Sequence, residues 1–206
     1  EIEIVENGMD LREADPSERR MVDEHYDLHG ERVLLFVGQM NWKKNIRRIL
    51  EAMRVLLNRG VEARLIMAGQ GPSEKEIRRF VTANGLDGHV TFTGHITDSR
   101  VLIGLYARAD LFVFPSLYDN APMVVREAAA VGTPSLLVAG SGAAEVVRDG
   151  ENGLLTADET ASVADRISWA LEHPSELRAL GQAARRTIPR PWSDVISEVL
   201  ERYEDL

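Results

Sequence analysis

Residues 110–140, DLFVFPSLYDNAPMVVREAAAVGTPSLLVAG, decide the fold. Two continuous apolar runs, at 110–115 and 134–140, flank a segment of helical period from Pro122 to Val131. Continuous apolar runs are typical of strands that are covered on both faces, and a strand, a helix and a second strand in succession form a βαβ unit. The stretch therefore predicts a parallel sheet with helices packed against it.

The same alternation continues toward the amino terminus. Apolar runs rich in β-formers predict further strands at 33–38, 63–69 and 90–94, and after about residue 157 the pattern is helical only. We therefore predict a doubly wound, Rossmann-like α/β fold with helices on both faces of the sheet and a helical cap at the carboxyl end.

Residues that favour the amino-terminal end of a helix predict three helix starts. Ser73 followed by Glu76 has the spacing of a capping box, and Asp98 is suited to cap the helix that ends near Arg108. Pro122 suits the first position of a helix, where the missing N–H has no partner to lose.

Composition excludes several classes of protein. The 206 residues include 44% hydrophobic ones, enough to bury one substantial core. The net charge of −9 argues against a nucleic-acid surface, and no apolar run approaches the length of a membrane-spanning helix. The absence of cysteine excludes a disulfide framework and zinc-thiolate sites, and it suits a reducing compartment. We expect a cytoplasmic protein.

The first residues, EIEIVENGMD, have neither an initiator Met nor the layout of a signal peptide, so we expect a domain excised from a longer chain. We predict one domain over 1–206. Within it, 1–30 forms a leading strand and helix, 31–157 the α/β core and 158–206 the carboxyl-terminal helices.

Ligands of open α/β sheets bind beyond the carboxyl ends of the strands, and three loops lie there. In the first, GQMNWKKN (38–45), a helix predicted to begin near Lys43 places Lys44 in its first turn, where a cation opposes the helix dipole. A bound phosphate would resolve that conflict; a solvated surface lysine is the alternative.

The second loop, AGQGPSEKE (68–76), contains two glycines of a dinucleotide fingerprint. The third glycine is absent, and Pro72 removes an N–H that a phosphate would use. We interpret this loop as a tight turn into a helix.

The third loop and its helix carry Asp119 and Glu127. On a helix from Pro122, Glu127 shares a stripe with Met123, whereas the adjacent Arg126 points away from it. A carboxylate among valines and alanines needs hydrogen-bond partners, from the fold or from a ligand. Two carboxylates that accept from hydroxyls, on either side of a helix start that favours an anion, describe a site for a nucleotide diphosphate sugar. The alternative is that Asp119 and Asn120 form a turn and cap while Glu127 pairs with another loop.

These residues resemble a known family. The spacing Asp119-x7-Glu127 resembles the E-x7-E signature of retaining glycosyltransferases of the GT-B fold, in particular family 4 (glycosyl transferases group 1). Segments similar to the family's carboxyl-terminal, donor-binding domain follow in the usual order: IVENGMD (4–10), LLFVGQMNWKKN (34–45), VTFTGHI (90–96), ADLFVFPS (109–116), VGTPS (131–135), AEVVRDGENGLL (144–155) and PWSDVISEVLERY (191–203).

The resemblance implies a role for each matching residue. Glu127 binds the donor ribose, while Asp119 and Lys44 carry the catalysis: Asp119 holds the donor sugar and Lys44 neutralises the diphosphate. The other implied donor-binding residues are Gly38, Gln39, Asn120, Ala121, Pro122, Met123, Val124, His95 and Ile96. A plain surface loop is the alternative for His95 and Ile96.

The resemblance also implies partners and a reaction. The chain would bind a UDP- or GDP-sugar, with no metal and no cofactor, for retaining transfer to a glycan or lipid-linked acceptor. The acceptor domain, amino-terminal in this family, is absent here, so the isolated chain is expected to be inactive. That domain would provide any contact with the cytoplasmic face of a membrane.

Two departures from the family pattern matter. Asp119 replaces the commoner Glu, and the uncharged Gln39 replaces an arginine that usually shares the diphosphate. Gln39 raises a rival interpretation, a non-catalytic nucleotide-sugar-binding or regulatory module. A second rival is a GT-B-like epimerase, but the five histidines form no recognisable catalytic set.

Overall fold

The computed structural model describes Val5, residues 7–9 and residues 13–204. The leading strand predicted within 1–30 falls outside the described residues, whereas the helix predicted there is present as Pro16–Tyr26. No helix in the described part of the chain is long and apolar enough to cross a bilayer.

Strands and helices alternate through most of the described chain. The strands are β1 Val33–Val37, β2 Arg64–Ala68, β3 Val90–Gly94, β4 Leu111–Phe114, β5 Ser135–Val138 and β6 Leu154–Thr156. The helices are α1 Pro16–Tyr26, α2 Ile46–Asn58, α3 Glu74–Ala83, α4 Ser99–Arg108, α5 Met123–Ala130, α6 Thr160–Glu172, α7 Pro174–Thr187 and α8 Trp192–Glu204. Two 3₁₀ turns lie at Trp42–Lys44 and Gly142–Val146.

The strands form one sheet in the order β3-β2-β1-β4-β5-β6, and every neighbouring pair is parallel. From β1 the chain winds outward to β3, then returns to β4 and winds outward the other way. Because parallel crossovers are almost always right-handed, the two directions of winding place helices on opposite faces of the sheet. This confirms the doubly wound Rossmann-like prediction and puts the topological switch point between β1 and β4.

The core reaches the edge of the sheet from which the predicted site loops emerge. All four residues of β4 are buried, and Phe114, its last residue, stacks at 5.9 Å between ring centroids on both Phe36 of β1 and Phe112. The loops that follow β1 and β4 therefore start from a rigid, close-packed base.

Two of the three predicted helix starts need correction. The Ser73 hydroxyl makes no capping hydrogen bond, and Glu76 accepts from Trp42 Nε1 at 2.9 Å instead, so the capping box is wrong. Pro122 was predicted as the first residue of α5, but it is the residue before the helix, which begins at Met123. Asp98 caps α4 as predicted, because its Oδ1 accepts from the Arg100 amide at 2.9 Å.

The start predicted for the next helix, near Lys43, is also wrong. Lys43 and Lys44 lie in the 3₁₀ turn, Asn45 follows with a left-handed φ of 57°, and α2 begins at Ile46. The apolar pattern does not predict β6, which has only three residues and follows a turn at residues 149–153.

Candidate functional site

Two opposite charges meet at the switch point. Lys44, after β1, and Asp119, after β4, form an ion pair with 2.5 Å between Nζ and Oδ1. Their side chains are only 26% and 21% exposed, so the interpretation of Lys44 as a freely solvated lysine is wrong. A partly buried cation beside a carboxylate is suited to hold an anion while the carboxylate accepts from hydroxyl groups.

The loop that carries Lys44 is fixed on both sides. Asn41 Oδ1 accepts from the Lys43 amide at 3.0 Å and starts the 3₁₀ turn. Asn45 Nδ2 then donates to the Pro115 carbonyl at 3.2 Å, at the end of β4, and to Asp158 Oδ1 at 2.8 Å. Lys44 therefore lies in a turn that is bonded directly to the neighbouring strand end.

The Asp158 carboxylate is part of this support. Its partial burial by itself raises its pKa, but hydrogen bonds from Asn45 and Arg48 outweigh that effect and lower the pKa below the ordinary value. The carboxylate therefore remains ionised at neutral pH and keeps the start of α2 attached to the loop before α6.

The loop that carries Asp119 is strained and closely packed. Ala121 has a φ of 43°, in the left-handed region that non-glycine residues rarely adopt. A Cβ on Gly142 would lie 2.9 Å from both the Asn120 Oδ1 and the Asp119 carbonyl oxygen, so only glycine fits there without movement. The second Asp119 oxygen, Oδ2, is buried without a hydrogen-bond partner among the described residues.

Helix α5 begins directly after this strained loop. Pro122 precedes it, and the residues of its first turn, Met123 and Val124, are partly exposed. The first amides of an α-helix have no partner within the helix and favour an anion. Asn120, Ala121 and Pro122 connect Asp119 to these amides along the chain.

Glu127 is less buried than the sequence predicted and takes a partner from the fold. It is partly exposed, and its Oε2 accepts from the Tyr106 hydroxyl of α4 at 2.8 Å. Burial, followed by the charge and the hydrogen bond of Glu127, raises the pKa of Tyr106 well above its usual range. Arg126 does point away, as predicted: it is 2% exposed and donates to the Ile188 carbonyl at 2.8 Å.

A cleft of about 320 Å³ lies beyond the ends of β1, β2 and β3. Its walls bring together four residues predicted for the donor site with two that the sequence analysis assigned to a tight turn: Gly38, Gln39, His95 and Ile96, with Gly69 and Gln70. The sequence feature that could have placed residue 69 in this cleft is that it is a glycine. A Cβ there would lie 2.1 Å from the Gly38 carbonyl oxygen, and its φ is 133°, so the two loops can approach only through glycine.

The structure therefore groups the predicted residues in three places: the Lys44–Asp119 pair, the Glu127 carboxylate on α5, and the cleft beyond β1, β2 and β3. Within the described ranges, no three His, Asp or Glu side chains are arranged to hold a metal ion. The family model described as "Glycosyl transferases group 1" matches residues 20–187.

The chain belongs to the glycosyl transferases group 1 family.

Curated relatives of this group 1 chain include a putative glycosyltransferase and a mannosyltransferase. It is 32% identical over 182 residues to the putative glycosyltransferase EpsD of Bacillus subtilis, covering 87% of this chain and 47% of EpsD. It is 28% identical over 180 residues to the GDP-mannose-dependent alpha-(1-6)-phosphatidylinositol dimannoside mannosyltransferase of Mycobacterium tuberculosis, covering 87% of this chain and 45% of that enzyme. The chain thus spans slightly less than half of each relative.

Solved structures confirm the fold of this group 1 domain. HepE from Anabaena, in complex with UDP and glucose, superposes with a TM-score of 0.85 at 21% identity, covering 99% of this chain and 57% of HepE. The carboxyl-terminal domain of the group 1 protein LpcC from Francisella tularensis superposes with a TM-score of 0.76 at 22% identity, covering 88% of this chain and 96% of that domain. The architecture is that of a GT-B domain.

Proposed function

We propose that this chain is the donor-binding domain of a retaining, family 4-like GT-B glycosyltransferase. It would bind an NDP-sugar for metal-independent transfer to a glycan or lipid-linked acceptor. The observation that carries the proposal is the Lys44–Asp119 pair, which sets a cation beside a carboxylate at the switch point of the sheet.

The Lys44–Asp119 pair supports the proposal chemically. A bound diphosphate beside Lys44 would be balanced by the ammonium group and by the first amides of α5. The buried Asp119 Oδ2 has the capacity to accept from a sugar hydroxyl, and the strained Ala121 fixes the loop in which Asp119 lies. Asp119 would thus position the sugar rather than attack it.

The nucleoside would extend away from this pair. Glu127 is partly exposed and is suited to accept from the ribose hydroxyls, while the cleft lined by Gly38, Gln39, His95 and Ile96 would take the diphosphate edge and the base. We propose UDP or GDP as the nucleotide. Structures of HepE contain UDP, and the mycobacterial relative is named for GDP-mannose.

The proposed chemistry is electrostatic. The bond between the anomeric carbon and the diphosphate breaks, a bond to the acceptor oxygen forms on the same face of the sugar, and the acceptor hydroxyl passes its proton to the leaving diphosphate. Lys44 and the α5 amides stabilise the charge that develops on the leaving diphosphate, and such preorganised stabilisation is often the largest contribution to rate. No step in this scheme requires a metal ion.

An amino-terminal acceptor domain would complete the enzyme. We propose that the full protein is cytoplasmic and that this domain carries any contact with a membrane face. The 206-residue chain should then bind nucleotide sugar and transfer nothing at a useful rate. Incubation with radiolabelled UDP-glucose and GDP-mannose, with and without simple glycoside acceptors, tests this; transfer by the chain alone would contradict it.

A non-catalytic nucleotide-sugar module is the second candidate, because Gln39 lines the cleft without a charge. Charge-assisted hydrogen bonds are roughly twice as strong as neutral ones. If activity has decayed, Gln39→Arg should markedly raise affinity for the diphosphate. If the site is a working variant, Gln39→Arg should change that affinity little, as measured by calorimetry with UDP and GDP.

A further inference from the structure

Glu127 is held by a hydrogen bond that comes from another helix. Within the residues the structure describes, the carboxylate takes one hydrogen bond, from the Tyr106 hydroxyl of α4 to Oε2 at 2.8 Å. A glutamate side chain that is partly exposed on a helix would otherwise sample several rotamers. The bond from Tyr106 fixes one oxygen and so determines where Oε1 lies.

Tyr106 is itself closely packed in the core. It is 1% exposed, and its ring packs edge-on against Phe112 of β4 with 5.6 Å between centroids. Its backbone carbonyl accepts from the Thr133 hydroxyl at 2.6 Å. The phenol therefore stands at a fixed point on the core. Because its pKa is raised well above the usual range, the phenol keeps its proton and donates at neutral pH.

Resting on the proposed function, we propose that Tyr106 is a positioning residue, which orients the Glu127 carboxylate so that Oε1 accepts from the donor ribose. A carboxylate held in one rotamer loses less conformational freedom when the nucleotide binds, and this raises affinity without any contact between Tyr106 and the ligand. The effect depends on the ribose hydroxyls, because they are the groups that the oriented oxygen recognises.

Tyr106→Phe tests this with a ligand pair. UDP, GDP and ADP are first compared on the wild-type chain by calorimetry, and the tightest is then compared with its 2′,3′-dideoxy counterpart. Tyr106→Phe should weaken the ribonucleotide about tenfold, the loss expected when one hydrogen bond to a charged group is removed. It should leave the dideoxy nucleotide within about twofold, the scatter expected for independent sites.

Tyr26→Phe is the matched control. It makes the same change on α1, at a residue with no part in the predicted site, and leaves the Tyr106 phenol facing Glu127. It should leave the affinities for both nucleotides unchanged. Combined with Tyr106→Phe, Glu127→Gln should add little to the loss of ribonucleotide affinity, because both changes remove the same recognition.

The outcomes separate the inference from the function on which it rests. Wild-type chain that binds no nucleotide, or that binds both members of the pair equally, overturns the proposed ribose site and the inference together. Wild-type chain that prefers the ribonucleotide, with Tyr106→Phe retaining the full preference or losing affinity equally for both, overturns the inference alone. Loss of the cooperative thermal transition in Tyr106→Phe assigns the hydroxyl to folding and also overturns it.

Discussion

Replacing Ala121 by glycine should stabilise the protein, although glycine usually destabilises. Ala121 has a φ of 43°, and the left-handed region costs a residue with a Cβ about 1–2 kcal/mol. Glycine adopts the same conformation without that cost, but it makes the unfolded chain more flexible by about 0.4–1 kcal/mol. Ala121 is only partly buried, so little packing is lost. The expected net gain is about 0.5–1 kcal/mol.

Ala128→Gly is the matched control. Ala128 lies in α5 and is fully buried, so the same substitution costs about 1 kcal/mol in helix propensity and about 0.8 kcal/mol for the lost methyl group. For a domain of this size, 1 kcal/mol corresponds to roughly 2–4 °C in Tm. Ala121→Gly should therefore raise Tm by about 1–4 °C, whereas Ala128→Gly should lower it by about 4–8 °C.

Differential scanning calorimetry of the two variants beside wild type measures both shifts. A fall in Tm for Ala121→Gly comparable to that of Ala128→Gly would refute the reasoning, because it would mean that residue 121 is not held in the left-handed region. The strain also supports the orientation of Asp119. Ala121→Gly should therefore weaken the binding of a nucleotide sugar more than that of the nucleotide alone.

Three further predictions concern capping, pH and close packing. Asp98→Ala should cost about 1 kcal/mol of unfolding free energy in urea, whereas Ser73→Ala should cost less than about 0.5 kcal/mol, because only Asp98 caps its helix; equal losses would contradict the cap assignment. Burial, then the Glu127 charge, raise the pKa of Tyr106 above its ordinary 10.0. Below about pH 10 the ionisation of Tyr106 should therefore not change the free energy of unfolding. Above that pH the free energy of unfolding should fall, since the phenol ionises first in the unfolded chain. Urea titrations should show a smaller fall in Tyr106→Phe. Gly142→Ala should weaken nucleotide-sugar binding, because the new Cβ would lie 2.9 Å from the Asp119 carbonyl oxygen; unchanged affinity in calorimetry would show that the Asp119 loop adapts freely.

The fold followed from the sequence because its strands are buried on both faces. Continuous apolar runs such as 110–115 carry that signal locally, and the doubly wound arrangement follows from their alternation with helices. The short β6, Leu154–Thr156, escaped detection because three residues carry too little periodicity. The capping box predicted at Ser73 is wrong because Glu76 accepts a hydrogen bond from Trp42, which lies outside its own helix.

The candidate site was predictable where residue type and chain position were sufficient. Lys44 and Asp119 each follow a strand that ends at the switch point, and the structure joins them directly. The partner of Glu127 was not predictable, because Tyr106 lies 21 residues earlier and meets it only through the packing of α4 beside α5. The position of Gly69 beside Gly38 likewise depends on how two loops cross.

Titration of the purified chain with UDP, GDP, ADP and their sugar conjugates tests the central claim most directly. Binding is measured by calorimetry and by thermal shift for wild type, Glu127→Ala and Glu24→Ala. Glu24 is an exposed glutamate on α1 and serves as the control. At a hundredfold excess over Kd, one-site binding stabilises the fold by about 2.7 kcal/mol, or roughly 5–10 °C. The account predicts that one base binds to wild type and Glu24→Ala and that Glu127→Ala loses it while remaining folded. Binding that survives in Glu127→Ala, or folded wild-type chain that binds none of these nucleotides, would contradict it.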